Sequence, residues 1–373
     1  MKISCTQENL NQGLNIVSHI ANKNSNLPIL GNVLIKVQDK ILNLSATNLE
    51  IGIQVGIRGK IESEGEFTVD ARLFSDYISL LPKDRIDLEL INDELKIKCD
   101  KQKTKIKTQP GSEFPLIPQL NKVNPYIIKA KEIKKAISEV VFAVSISETR
   151  PEISGVYMNF TANQIIMAAT DSYRLTEKKI TIEKESPNNN QIIVPVKTLQ
   201  EVSRALSVFK EETTLDNVEN IEIYISSNQI MFSYNGVDLV SRLIEGQYPD
   251  YTQILPTENK TKVKINRESL IKAVKTSSLF TKSGIHDIKL EFLENNLIIT
   301  SSSAQTGENI SELETEKTGD NNNIVLNYKY LLDGLQNIDS ENVIFELNTN
   351  SNPCVLKPDG ADDYVYIIMP IKQ

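Results

Sequence analysis

The residues that could do chemistry in this chain are few and badly placed for it. Two histidines and three cysteines occur in 373 residues. His19 falls inside a stretch read as the first helix and His286 stands apart, so neither has metal-ligand spacing. Cys5, Cys99 and Cys354 form no C-x-x-C pair, which points to free buried thiols in a reducing compartment and away from zinc or a disulfide framework. No G-x-S-x-G elbow is present. Gly155 and Gly236 are isolated, so no phosphate-cradling loop is visible. Thr170-Asp171 contains the one suggestive carboxylate, and an Asp so placed more readily braces its own turn. The expectation is a protein without catalysis, metal or cofactor. What remains is electrostatic chemistry. Lys272 and Lys275 lie three apart, neighbours on one helix face, and Arg72, Lys197 and Lys329 recur at one position of a repeated motif. Basic residues on helices suit phosphate without reading bases. The competing reading is a structural or adhesion protein whose helical lysines are merely solvated.

These residues sit on elements that recur. Residues 262–278 read as a short alternating strand, a polar break and a helix, with Leu270, Ala273, Val274 and Ser277 on one face. The same pattern starts the chain, where residues 3–5 lead to Leu10, Gly13, Leu14 and Val17. It returns in the middle, where residues 126–128 lead to Ile133, Ala136, Ile137 and Val140. A second motif follows each first one, at residues 67–81, 192–206 and 324–338. Its apolar positions superpose as Phe74, Tyr77, Leu81, then Leu199, Val202, Leu206, then Leu331, Gly334, Ile338, each trio two residues after its basic position. One supersecondary unit repeated three times is a repeat architecture.

Between the motifs run alternating segments such as residues 33–37, 41–45, 51–57, 86–91 and 94–99, with turn residues between them, which read as antiparallel strands. Each repeat is therefore an antiparallel sheet with two helices on one face, an α+β arrangement. Residues 111–125 and 246–260 carry prolines and no periodicity and read as extended connectors. They divide the chain into domains at 1–124, 125–256 and 257–373. The net charge of −8 looks wrong for a nucleic-acid binder, but the six predicted helices are net basic and the rest is net acidic, so distribution outweighs the sum. No apolar run approaches the roughly 20 residues of a membrane helix, and the first thirty residues lack the pattern of a secretory signal.

LPILGN at 27–32, TNLEIGI at 47–53, EFP at 113–115, ATDSYRL at 169–175, YPDY at 248–251 and MPI at 369–371 resemble the bacterial beta sliding clamp, the processivity subunit of the DNA polymerase III holoenzyme. The likeness runs the full length, in order. It implies three clamp domains per chain and a head-to-tail homodimer closing as a ring around duplex DNA, with helices inside, in the cytoplasm and without catalysis of its own. It implies sequence-independent DNA contact by Lys23, Asn24, Arg72, Lys135, Ser147, Arg150, Lys197, Lys272 and Lys275, with Glu152 set to repel phosphate. It implies a groove for short peptides of the replicative polymerase alpha subunit, the clamp loader and other motif-bearing proteins. Carried over by position, the groove comprises Ile153, Thr170, Ser172, Tyr173, Arg174, Leu175, Pro249, Gln253, Ile254, Ile367, Ile368, Met369, Pro370 and Ile371. Arg174 and the Thr170 hydroxyl are expected to orient the peptide.

Overall fold

Four helices begin where a strand hands over its last residue as a cap. Thr6, Asp70, Asn266 and Asn327 each accept a hydrogen bond from a backbone N–H two or three residues on, satisfying a donor that the first helical turn leaves orphaned. The computed structural model describes residues 1–21, 26–147, 149–184, 189–209, 220–256, 258–282 and 284–372. Its helices are α1 (Gln7–Val17), α2 (Ala71–Ser79), α3 (Ala130–Val140), α4 (Val196–Val208), α5 (Arg267–Ser278) and α6 (Tyr328–Asn337). The equivalent residues Leu10, Ile133 and Leu270 are all fully buried.

The first helix is shorter than its periodicity suggests. It ends at Val17 with Ser18 as its C-cap, which places His19 in the following turn. Arg204 of α4 donates to the carbonyls of Asn15 and Ile16 at 2.7 and 2.6 Å, so a side chain from the middle repeat satisfies the helix end. The third-repeat motif keeps glycine at Gly334 because the Tyr366 ring occupies the space of a Cβ.

The strands depart from the expectation of one sheet per repeat. Each repeat divides its strands between two sheets, and two of the sheets run across repeats. The chain forms two compact units, one of residues 1–134, 183–187 and 197–243, the other of residues 135–182, 188–196 and 244–373. The first unit holds a nine-stranded antiparallel sheet in the order Gln109–Pro110, Gly65–Asp70, Asn32–Gln38, Ile41–Thr47, Ile51–Ile57, Val237–Arg242, Gln229–Tyr234, Asn220–Ile225, Tyr126–Lys129. Its second sheet, of five strands, runs Lys60–Ser63, Lys2–Thr6, Arg85–Ile91, Glu94–Cys99, Gln102–Lys107. Helix α1 packs on α2 and on strands Ile41–Thr47 and Ile51–Ile57.

The second unit repeats the plan. Its nine strands run Asn190–Pro195, Gly155–Phe160, Gln164–Thr170, Arg174–Thr181, Tyr364–Ile368, Cys354–Pro358, Asn342–Leu347, Thr261–Asn266, Glu316–Gly319. Four more run Gly307–Glu314, Asn296–Ser303, Asp287–Phe292, Asn322–Asn327. Helices α5 and α6 cover a core that includes Leu270, Val274, Leu290, Phe292, Leu331, Phe345 and Ile368. In both units the two strands that join one repeat to the next, Ile51–Ile57 with Val237–Arg242 and Arg174–Thr181 with Tyr364–Ile368, lie inside the sheet, so each is bonded on both edges.

Candidate peptide groove and basic helix faces

The candidate groove starts from one turn. After strand Gln164–Thr170, the Thr170 hydroxyl donates to the Arg174 carbonyl at 2.6 Å and accepts from the Ser172 N–H at 3.1 Å. Asp171 Oδ1 accepts from the N–H groups of Tyr173 and Arg174 at 2.9 and 3.0 Å. These bonds hold Ser172 at φ +81° and leave Tyr173 standing out. The turn is locked from the other side, where Met369 N–H donates to the Tyr173 carbonyl at 2.9 Å.

Beside the turn, Leu175 pairs with Ile367 and Ile367 with Val355 across adjacent strands. With Ile153, Ala168, Tyr248 and Tyr251 they form one apolar cluster. Around it Tyr173, Ile254 and Met369 are 63, 41 and 37 % exposed. Large apolar side chains left in water at the rim of an apolar floor make this a candidate binding surface. Pro249 and Gln253 lie exposed on the connector, and Gln253 Nε2 donates to Asp250 at 2.8 Å. The hydrogen bonds that Thr252 and Gln253 give Asp250 hold its carboxyl below the usual range. Burial, with a 2.6 Å bond to Glu177, raises the Tyr251 phenol. Pro370 and Ile371 continue past the last strand half-buried.

Ile368 does not belong with the others. A strand alternates faces, so while Ile367 joins the groove cluster, Ile368 points the opposite way into the core beneath α5 and α6. The sequence expectation that placed both in the groove is corrected accordingly.

Arg174 is held internally. Its guanidinium pairs with Asp171 at 2.9 Å and with Asp333, donates to the Phe142 carbonyl at 2.9 Å, and lies 4.7 Å from the centre of the Tyr330 ring. Burial opposes its charge, but Tyr366, Asp333 and Asp171 prevail and hold it protonated. Tyr330 also stacks on Tyr173, ring centres 6.5 Å apart. Tyr330, Asp333 and Val355 have no local signal in the sequence, since they arrive from the third repeat. Tyr248 and Tyr251 lie within the YPDY motif.

Of the basic positions, Lys197, Lys272 and Lys275 are exposed and enter no ion pair among the described residues. Arg72 is exposed with a loose 3.8 Å contact to Asp76, and Lys135 lies 3.7 Å from Glu139. Ser147 bonds Thr149 at 2.8 Å. Arg150 pairs with Glu152 at 3.2 Å and donates to the Ser172 hydroxyl at 2.9 Å. The carboxylate expected to repel phosphate is therefore partly neutralised by its neighbour. Lys23 and Asn24 lie outside the described residues. Among the described residues no cluster of His, Cys, Asp and Glu could hold a metal, and no helix is long and apolar enough to cross a membrane. All three cysteines are free and buried, and burial pushes the Cys5 thiol up to about 12.

Comparison with known proteins places these features in a family. Three family descriptions match in succession: DNA polymerase III beta subunit N-terminal domain at residues 1–118, central domain at 127–250 and C-terminal domain at 252–372. The beta sliding clamp of Staphylococcus aureus is 31 % identical over 366 residues, 93 % of this chain and 92 % of that protein. Among solved structures, the beta subunit of Streptococcus pyogenes DNA polymerase superposes with a TM-score of 0.93 at 27 % identity over all of both chains. The DNA polymerase III beta subunit of Thermotoga maritima gives 0.91 at 27 %, covering 100 % of this chain and 99 % of its own. With three clamp domains of antiparallel sheets and helices matched along nearly its whole length, the chain belongs to the beta sliding clamp family of DNA polymerase III beta subunits.

Proposed function

We propose that two copies of this chain close head to tail into a ring around duplex DNA and tether the replicative polymerase to it, in the cytoplasm and without catalysis of their own. The observation that carries this reading is a pair of open sheet edges of opposite charge. Strand Gln102–Lys107 ends the five-stranded sheet of the first unit and exposes Lys103, Lys105 and Lys107. Strand Gly307–Glu314 ends the four-stranded sheet of the second and exposes Glu308, Glu312 and Glu314. An unpaired edge is a template for another chain. Lysines on one and glutamates on the other favour the unlike edge of a second copy and disfavour the like edge. A heterologous contact of this kind closes into a ring when the rotation permits.

Domains at 1–124, 125–256 and 257–373 would then give six near-equivalent arcs. Their helices would turn Arg72, Lys135, Lys197, Lys272 and Lys275 toward the DNA, with Ser147 and Arg150 nearby. Few, exposed and flexible cations attract phosphate without fixing on it, which a sliding contact requires. The groove around Tyr173, Ile254 and Met369 would take short apolar peptides of the polymerase alpha subunit, the clamp loader and other partners. Tethering raises the effective concentration of polymerase at the primer end.

The test is Lys197→Glu with Lys272→Glu. Retention on circular DNA should fall, and the salt slope of binding should decrease by roughly 0.9 for each phosphate that is no longer neutralised, with the dimer intact on a sizing column. Unchanged retention would refute the assignment of these helices to DNA.

A further inference from the structure

The groove turn of the second unit has a counterpart in the first. The Thr47 hydroxyl donates to the Ile51 carbonyl at 2.9 Å and accepts from Leu49 N–H at 3.0 Å, while Asn48 Oδ1 accepts from Ile51 N–H at 2.8 Å. Leu49 has φ +75° where Ser172 has +81°. Arg242 N–H donates to the Glu50 carbonyl at 3.1 Å, as Met369 does to Tyr173 at 2.9 Å. The register beyond the turn also agrees. Gly52 pairs with Val240 and Val240 with Met231, the places held by Leu175, Ile367 and Val355 in the second unit.

At one floor position the first unit has no side chain, and the connector fills the space. Where the second unit has Leu175, the first has Gly52, and the Ile117 side chain comes within 2.6 Å of where a Cβ would stand. Three residues on, Leu120 packs against Tyr224, Met231 and Val240. Lys122 Nζ then bonds both Asp238 carboxylate oxygens at 2.8 and 2.9 Å and the Ser233 hydroxyl at 3.3 Å. Two apolar side chains on the floor, followed by one charged anchor, are what a bound peptide would provide.

We propose that the first unit carries a second peptide groove and that the chain's own segment, residues 117–122, occupies it as a resident ligand. This rests on the reading of the second unit's groove as a peptide site.

The experiment replaces residues 116–122 by a glycine–serine segment of equal length in the full chain and titrates it with the synthetic peptide PLIPQLNK, residues 115–122. The replaced chain should bind one more peptide per chain than the parent, with hydrogen-exchange protection returning to strand Val237–Arg242. Copies bound by the parent and absent after deletion of residues 369–373 report the second unit's groove, so only the increment reads this inference. An equal stoichiometry in the two folded chains overturns it. Should the replaced chain fail to fold, Leu120→Ser in the parent is read instead. Amide exchange over residues 117–123 should then rise roughly tenfold, and unchanged exchange would mean that the segment is not held through its floor contacts.

Discussion

Lys178 is a residue whose loss the second unit should tolerate poorly. Its ammonium lies 2.9 Å from Glu139 of α3 and 2.8 Å from Asp363, which precedes the last strand. The side chains of Lys178 and Glu139 are only 8 and 6 % exposed, whereas Asp363 is about half exposed. Lys178→Met would strand the Glu139 carboxylate in the interior, and breaking a buried pair from one side costs about 3–5 kcal/mol. Asp363→Asn removes only the solvent-screened partner and should cost less than about 1 kcal/mol. Lys178→Met combined with Glu139→Leu should recover much of the loss, because the charges then left without these partners, Asp363 and Lys135, are about half exposed to solvent. The readout is the opening free energy of amides in strand Arg174–Thr181 by hydrogen exchange, since a chain of several domains need not unfold in one step. Equal costs for Lys178→Met and Asp363→Asn would refute the reasoning, as would a double variant worse than the single. The pH dependence has a definite sign. Burial works to lower the Lys178 pKa, but its bonds to Asp363 and Glu139 prevail and raise it above the ordinary 10.5. Its contribution is therefore complete below 10.5 and is lost as pH climbs through the folded value.

Gly334→Val should destabilise the third-repeat core by about 1–3 kcal/mol, measured as a lowered melting temperature, because the gain in helix propensity is smaller than the overpacking against Tyr366. Lys103→Glu with Lys105→Glu should weaken self-association at least tenfold in sedimentation equilibrium. Adding Glu308→Lys and Glu312→Lys should restore part of it.

Local patterns in the sequence carry the elements, and contacts between distant segments decide the rest. The equivalence of Leu10, Ile133 and Leu270 follows from the repeated strand, break and helix with its 3.6-residue periodicity, and all three prove fully buried. Strand positions follow from alternation in the same way. The partners of those strands do not, because Ile51–Ile57 bonds to Val237–Arg242 across a separation that no local pattern reaches, so alternation alone implies one sheet per repeat where the two nine-stranded sheets in fact span two. The end of α1 depends on Arg204 reaching in from the middle repeat. Within the groove, the turn at Thr170–Arg174 is legible as a motif. Its neighbours Tyr330, Asp333 and Val355 are not, because tertiary contact alone brings them there. Ile368 departs from the sequence expectation for a simpler reason: adjacent residues of a strand face opposite ways.

Retention on DNA of changing topology tests the ring most directly. The chain is placed on nicked circular duplex with an ATP-driven clamp loader, and the circle is then cut once with a restriction enzyme. A ring that encircles DNA should stay on the intact circle and leave the linear product by sliding off its ends. Equal retention on circle and linear product would contradict the account.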